Sequence, residues 1–221
     1  MILCLVTDRR RLGESLGLPE AAWVNALQRQ AEGAARAGID YIQVREPDLE
    51  AGDLVELTRA LIRIASGRTR ILVNDRLDVA LAANAGGIHL KERSILPADV
   101  RRLSPPGFVI GCSVHGIDGI TARKSADFLI AGTVLPTASK RAVDYLDESG
   151  LRNVVEVAAG QPVLGIGGLN VAAMPMLASS RAAGLAAIGA FIPTAGEDVA
   201  EFVQKRVTAM RLAFDSAGRR T

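Results

Sequence analysis

The chain has 221 residues, of which 49% are hydrophobic and 23% charged, a balance that supplies a large core and suits one domain. Its 26 Lys and Arg against 24 Asp and Glu leave a net charge of +2, too small a bias for a nucleic-acid surface or an anionic membrane. Aromatic residues make up 4%, which argues against a base-stacking platform and an aromatic-rich sandwich.

The chain opens on MILCLVTDRRR. The apolar part is no longer than a buried strand and has no basic residues ahead of it, so it reads as neither a signal peptide nor a membrane span. The two cysteines, Cys4 and Cys112, sit inside short apolar runs. They make no disulfide framework and suit a reducing compartment, so the expected location is cytoplasmic.

Eight short apolar runs follow one another: Ile2–Thr7, Tyr41–Arg45, Arg70–Val73, Gly87–Leu90, Phe108–Ser113, Asp127–Ala131, Pro162–Gly165 and Gly184–Gly189. They are continuous rather than alternating, as in strands buried on both faces of a parallel sheet. Between them, Ala21–Ala37, Leu54–Ala65 and Val199–Phe214 carry apolar residues at helical spacing. Gly38, Gly67 and Gly160 stand where a left-handed residue closes a helix. The pattern predicts a single-domain α/β fold over residues 1–221, a (β/α)8 TIM barrel. A doubly wound sheet is the rival, but Thr7-Asp8-Arg9-Arg10-Arg11 stands where a dinucleotide-binding sheet carries its glycine-rich turn. The tail, 215–221, is expected to fray.

In such a barrel the chemistry lies at the C-terminal ends of the strands. Gly165-Ile166-Gly167-Gly168 and Ala187-Ile188-Gly189-Ala190 end the last two strands, where main-chain N–H groups can approach a phosphate. Thr137, Ser139 and Lys140 lie in a long loop after the sixth run and offer hydroxyls and an ammonium to the same kind of ligand. His115 follows the fifth run and is the stronger acid/base candidate; His89, followed by Leu90, reads as partly buried. Gln43 and Arg45 share one side of an extended segment and are expected to face the mouth. Asp75, after Asn74, could hold a cation or cap the next helix.

Val6–Asp8, Ile42–Glu46, Val73–Arg76, Gly87–Leu90, Gly111–His115, Ala131–Lys140 and Gly165–Asn170 together resemble the superfamily of thiamine phosphate synthase and its paralogue TenI, in order and spacing. The resemblance reaches Gly189 and independently implies the (β/α)8 barrel. The synthase joins a hydroxymethylpyrimidine pyrophosphate to a thiazole phosphate using Mg²⁺ held by two aspartates. By resemblance, Thr137, Ser139, Gly168, Ile188 and Gly189 would bind the thiazole phosphate, with Gly167 in the same turn. Lys140 would contact pyrophosphate, and Asn74 and Ser113 the pyrimidine pyrophosphate.

Two positions depart from the pattern. Pro47 stands where the family carries a lysine, and Ser94 where it carries the second aspartate. Glu92 or Asp99 could replace that aspartate only if the loop were displaced. These losses point toward the TenI type, an isomerase that aromatises a carboxythiazole phosphate with no cofactor or metal. His115 would move the proton, and Gln43, Arg45 and Asn74 would meet the ring carboxylate. The alternatives are the synthase, with Asp75 on Mg²⁺, and a non-catalytic regulatory paralogue that binds a phosphorylated ligand. The expected partner is a small phosphorylated thiazole, with no nucleic acid and no membrane, and homo-oligomer formation is left open.

Overall fold

The fold was analysed in a computed structural model, which describes residues 1–137 and 145–218. Eight parallel strands close a barrel in chain order: β1 Ile2–Val6, β2 Tyr41–Val44, β3 Arg70–Asn74, β4 Gly87–Leu90, β5 Val109–Val114, β6 Phe128–Ala131, β7 Val163–Ile166 and β8 Gly184–Ala187. Every one lies within two residues of its apolar run. β1 pairs β8 through Cys4↔Ala186 and pairs β2 through Cys4↔Tyr41, which completes the ring.

The helices are α1 Arg9–Ser15, α2 Trp23–Arg36, α3 Ala51–Ala65, α4 Leu77–Ala82, α5 Pro97–Leu103, α6 Asp147–Ala158, α7 Met174–Ser179 and α8 Val199–Gly218. They do not alternate one-to-one with the strands. Both α1 and α2 lie between β1 and β2, and β5 reaches β6 through a 3-10 turn, Thr121–Arg123. The segment 115–127 carries glycines and aspartates but no apolar face at helical spacing, so it has nothing to build a longer helix on. α2 starts at Trp23, after a 3-10 turn at Glu20–Ala22, rather than at Ala21. α8 continues through Asp215 to Gly218, into the segment expected to fray. Gly38, Gly67 and Gly160 all have positive φ, and the helices before the last two already turn left-handed at Ser66 and Ala159.

Strand alternation sorts the core into two layers. Leu3, Leu5, Ile42, Val44, Ile71, Val73 and Ile88 face outward and pack under the helices. There they meet Leu27 and Ala31 of α2, Leu57 and Leu61 of α3, and Val203, Val207 and Met210 of α8. Cys4, Val6, Leu72, Phe128, Ile130, Leu164 and Ala186 fill the barrel interior. With few aromatics available, Phe128 serves as the interior plug. It stacks on Tyr41, centroids 5.1 Å apart, and occupies the space left by Gly111, where a Cβ would lie 2.3 Å from the ring. Burial pushes both cysteine thiols up to about 12 and keeps them neutral.

Above the plug sits His89, 3% exposed. Its Nε2 lies 2.9 Å from the Ser113 hydroxyl, and its Nδ1 has no hydrogen-bond partner among the described residues. Burial lowers its pKa to about 4, because an imidazolium there would lose its hydration. The unfolded chain, with a His pKa near 6.5, therefore takes up the proton first as pH falls. Folded stability that is complete above that value is expected to drop by about 1.4 kcal/mol per pH unit from this group between the two pKa values. Urea denaturation over this range should show the slope, and His89→Gln should flatten it by that amount relative to wild type.

Candidate functional site

The strand ends open into one cavity of about 1120 Å³ at the C-terminal rim of the barrel. Its β1–β2 side is held by a charge cluster. The Arg9 guanidinium, nearly buried, lies 3.1 Å from Glu46 and 2.7 Å from Asp48, and Arg10 reaches Asp48 at 2.9 Å. Burial pushes the Glu46 carboxyl up, against the pull of Thr7 and Arg9, whereas the bond to Arg9 holds Asp48 well below the carboxylate range. Pro47 therefore lies between two residues committed to Arg9. The Thr7 hydroxyl accepts from the Arg45 amide at 2.9 Å, which fixes the main chain under the exposed Arg45 side chain.

Gln43, next to last in β2, faces inward on the same side as Tyr41. Its Nε2 donates to Asn74 Oδ1 at 2.9 Å, and its buried Oε1 has no partner among the described residues. Both residues line the cavity. Asp75 follows with φ +60°, and its amide donates to the His89 carbonyl at 2.9 Å. It does not cap α4, whose N-cap is Arg76. Its carboxylate turns to the loop after β4 instead. The Lys91 ammonium lies 2.8 Å from Oδ2, the Lys91 amide 3.5 Å from Oδ1, and the Ser94 hydroxyl donates to Oδ1. Burial raises the Asp75 pKa, but Lys91 and Ser94 outweigh it and the net shift is downward.

His115 and Ser113 line the same cavity as Gly167, Gly168, Ile188 and Gly189. The His115 ring is tied back: Nδ1 lies 2.8 Å from Glu92 Oε2, and its amide donates to Glu92 Oε1 at 3.2 Å. Gly167 and Gly168 have φ +100° and +68°. A Cβ on Gly168 would lie 2.6 Å from the Pro136 carbonyl oxygen, so the β7 turn and the loop after β6 touch main chain to main chain. Thr137 lines the cavity at the end of that loop. Ser139 and Lys140 lie outside the described residues.

The site also contains residues that the sequence reading left out. Arg11, one turn into α1, brings its guanidinium to within 3.4 Å of where a Gly189 Cβ would stand. Lys91 and Arg93 line the β4 edge. A charged residue directly after the apolar GIHL run was the available signal for Lys91. Arg11 gave no such signal, because its approach depends on a short helix after β1. No helix among the described residues is long and apolar enough to cross a membrane.

The family model described as thiamine monophosphate synthase matches residues 5–191. A putative thiamine-phosphate synthase of Geobacter sulfurreducens is 38% identical over 195 residues, covering 86% of each chain. A thiamine-phosphate synthase of Pyrococcus abyssi is 34% identical over 191 residues, 85% of each. The solved structure of a thiamine phosphate pyrophosphorylase from Pyrococcus furiosus superposes with a TM-score of 0.76 at 29% identity, covering 98% of this chain and 96% of that one. These findings overturn the TenI-type isomerase expected from Pro47 and Ser94. The relatives carry the synthase name over most of their length, and an argument from two missing groups does not outweigh them. With the barrel, its cavity and these matches together, the chain belongs to the thiamine monophosphate synthase family.

Proposed function

We propose that the protein is a thiamine-phosphate synthase, joining a hydroxymethylpyrimidine pyrophosphate to a thiazole phosphate. The observation that carries this reading is one cavity with a cationic edge from β2–β4 on one side and the two glycine turns of β7–β8 on the other. Two phosphorylated substrates need two such places, with their reacting ends meeting between them.

In the reaction, the bond from the pyrimidine methylene carbon to the pyrophosphate oxygen breaks. Its electron pair leaves with the pyrophosphate, and the thiazole nitrogen lone pair forms the new C–N bond. The leaving group gains charge, so cations aimed at it lower the barrier. In this reading Arg45, with Lys140, meets the pyrophosphate. Gln43, Asn74 and Ser113 hold the pyrimidine end. Thr137, Ser139, Gly167, Gly168, Ile188 and Gly189 hold the thiazole phosphate. His115 transfers no proton; with Glu92 it braces the loop after β4.

The family resemblance implies Mg²⁺ on Asp75, and the residues present do not fit it. Mg²⁺ asks for free, hard oxygen donors. Both Asp75 oxygens are engaged, Oδ2 by the Lys91 ammonium and Oδ1 by the Ser94 hydroxyl. Among the described residues, no three His, Cys, Asp or Glu side chains gather as ligands.

Purified protein incubated with both substrates should release thiamine phosphate and pyrophosphate in equal amounts, followed by chromatography. No product at high enzyme concentration, with or without Mg²⁺, would remove this reading. Arg45→Ala should lower kcat by about 10²–10³-fold, the usual cost of one charge-stabilising group. His115→Ala should cost less than about tenfold, against the 10²–10⁴-fold expected of a proton-transferring histidine.

A further inference from the structure

We infer that Lys91, tethered by Asp75, is a metal-free seat for pyrophosphate and supplies the positive charge that a divalent cation would otherwise bring. This rests on the synthase reading for its role in turnover, but not for the anion seat itself.

The Asp75 backbone is held at φ +60°, a conformation that costs a non-glycine residue free energy. The carboxylate thereby aims at the first residues after β4. There it takes the Ser94 hydroxyl and the Lys91 amide on Oδ1 and the Lys91 ammonium, at 2.8 Å, on Oδ2. A lysine side chain left alone on a surface samples many rotamers. This one is fixed by its carboxylate, yet 63% of it stays exposed, and it lines the cavity. An ammonium has three N–H donors. Asp75 takes one, and the others are available to phosphate oxygens, to which lysine binds as a point charge.

The surroundings agree. Glu92, the neighbouring carboxylate, is occupied by the His115 ring and amide, and its carbonyl accepts from Arg123. The loop is thus anchored from β5, and the acidic neighbour is committed to that anchor. Arg45 and Arg93 line the same edge, so the pair of Lys91 and Asp75, neutral by itself, sits among further cations. In the reaction, the electron pair of the breaking C–O bond passes to a pyrophosphate oxygen, and the ammonium N–H groups meet the growing charge. The lysine contributes charge and N–H donors only, so no metal and no further reactant is needed for balance.

Titration calorimetry with inorganic pyrophosphate in EDTA tests the seat directly. Wild type should bind, and excess Mg²⁺ should tighten binding by less than about threefold. Lys91→Met should weaken metal-free binding by about tenfold or more, as loss of a charge-assisted bond implies. Thiazole phosphate affinity, which reports on an intact barrel, should stay within about twofold. In the coupling assay, wild type should keep most of its rate in EDTA, and Lys91→Met should lose about 10²-fold in kcat. The double variant Lys91→Gly, Ser94→Asp frees the first carboxylate and adds a second, and it should bind pyrophosphate only with Mg²⁺. Pyrophosphate binding by wild type that requires Mg²⁺, or metal-free binding unchanged in Lys91→Met, overturns the inference. Metal-free, Lys91-dependent binding without turnover under any condition supports the seat and removes the synthase reading instead.

Discussion

Closure between β1 and β8 is the constraint on which everything else depends. An open parallel sheet would place Thr7 and Gly189 at opposite edges; closing it puts them side by side. The seam leaves no room for a side chain. A Cβ at Gly184 would lie 1.8 Å from the Ile2 carbonyl oxygen, so the first and last strands meet backbone to backbone. Outside the seam, α2 and α8 also touch main chain to main chain, a Cβ at Gly33 lying 2.4 Å from the Ala200 carbonyl oxygen. Only with the ring shut do loops from positions 7 to 189 surround one cavity, and only then can the glycine turns and the cationic side chains line the same space.

Within that ring, charge is divided by sector. On the β1–β2 side it is turned inward, with Arg9 satisfied by Glu46 and Asp48. On the β4 side it is turned outward, with Lys91 and Arg93 on the cavity wall. Position 47 lies in the first sector and position 94 in the second. A chain with Pro47 and Ser94 has given up charge at both places, but the β4 loop carries a lysine that Asp75 holds over the mouth. Seen this way, losing two expected groups reorganises the site rather than emptying it.

Most of the fold was legible because strands buried on both faces announce themselves as continuous apolar runs, and all eight lie within two residues of those runs. The rim was legible because the TIM-barrel pattern assigns the residues after each strand to one end. Partnerships were not. Nothing in the spacing from Arg9 to Glu46, or from Glu92 to His115, tells that these side chains meet. Such contacts depend on how neighbouring loops fold over the rim, not on local propensity. His115 was singled out because an isolated histidine near phosphate-binding turns invites acid/base chemistry; its commitment to Glu92 appears only in three dimensions. Positions 47 and 94 show in the sequence only what they lack, whereas the pairing of Lys91 with Asp75 at the cavity appears only in three dimensions.

The ion cluster around Arg9 bears on the thermodynamics of ligand capture. Its side chains do not line the cavity but brace the loops after β1 and β2, so a ligand settling on that sector meets main chain that is already ordered. The ordering cost falls instead on Arg45 and Arg93, long side chains on the cavity wall. Stiffening or loosening those two side chains would change the entropy of capturing a ligand there, while the braced sector stays fixed.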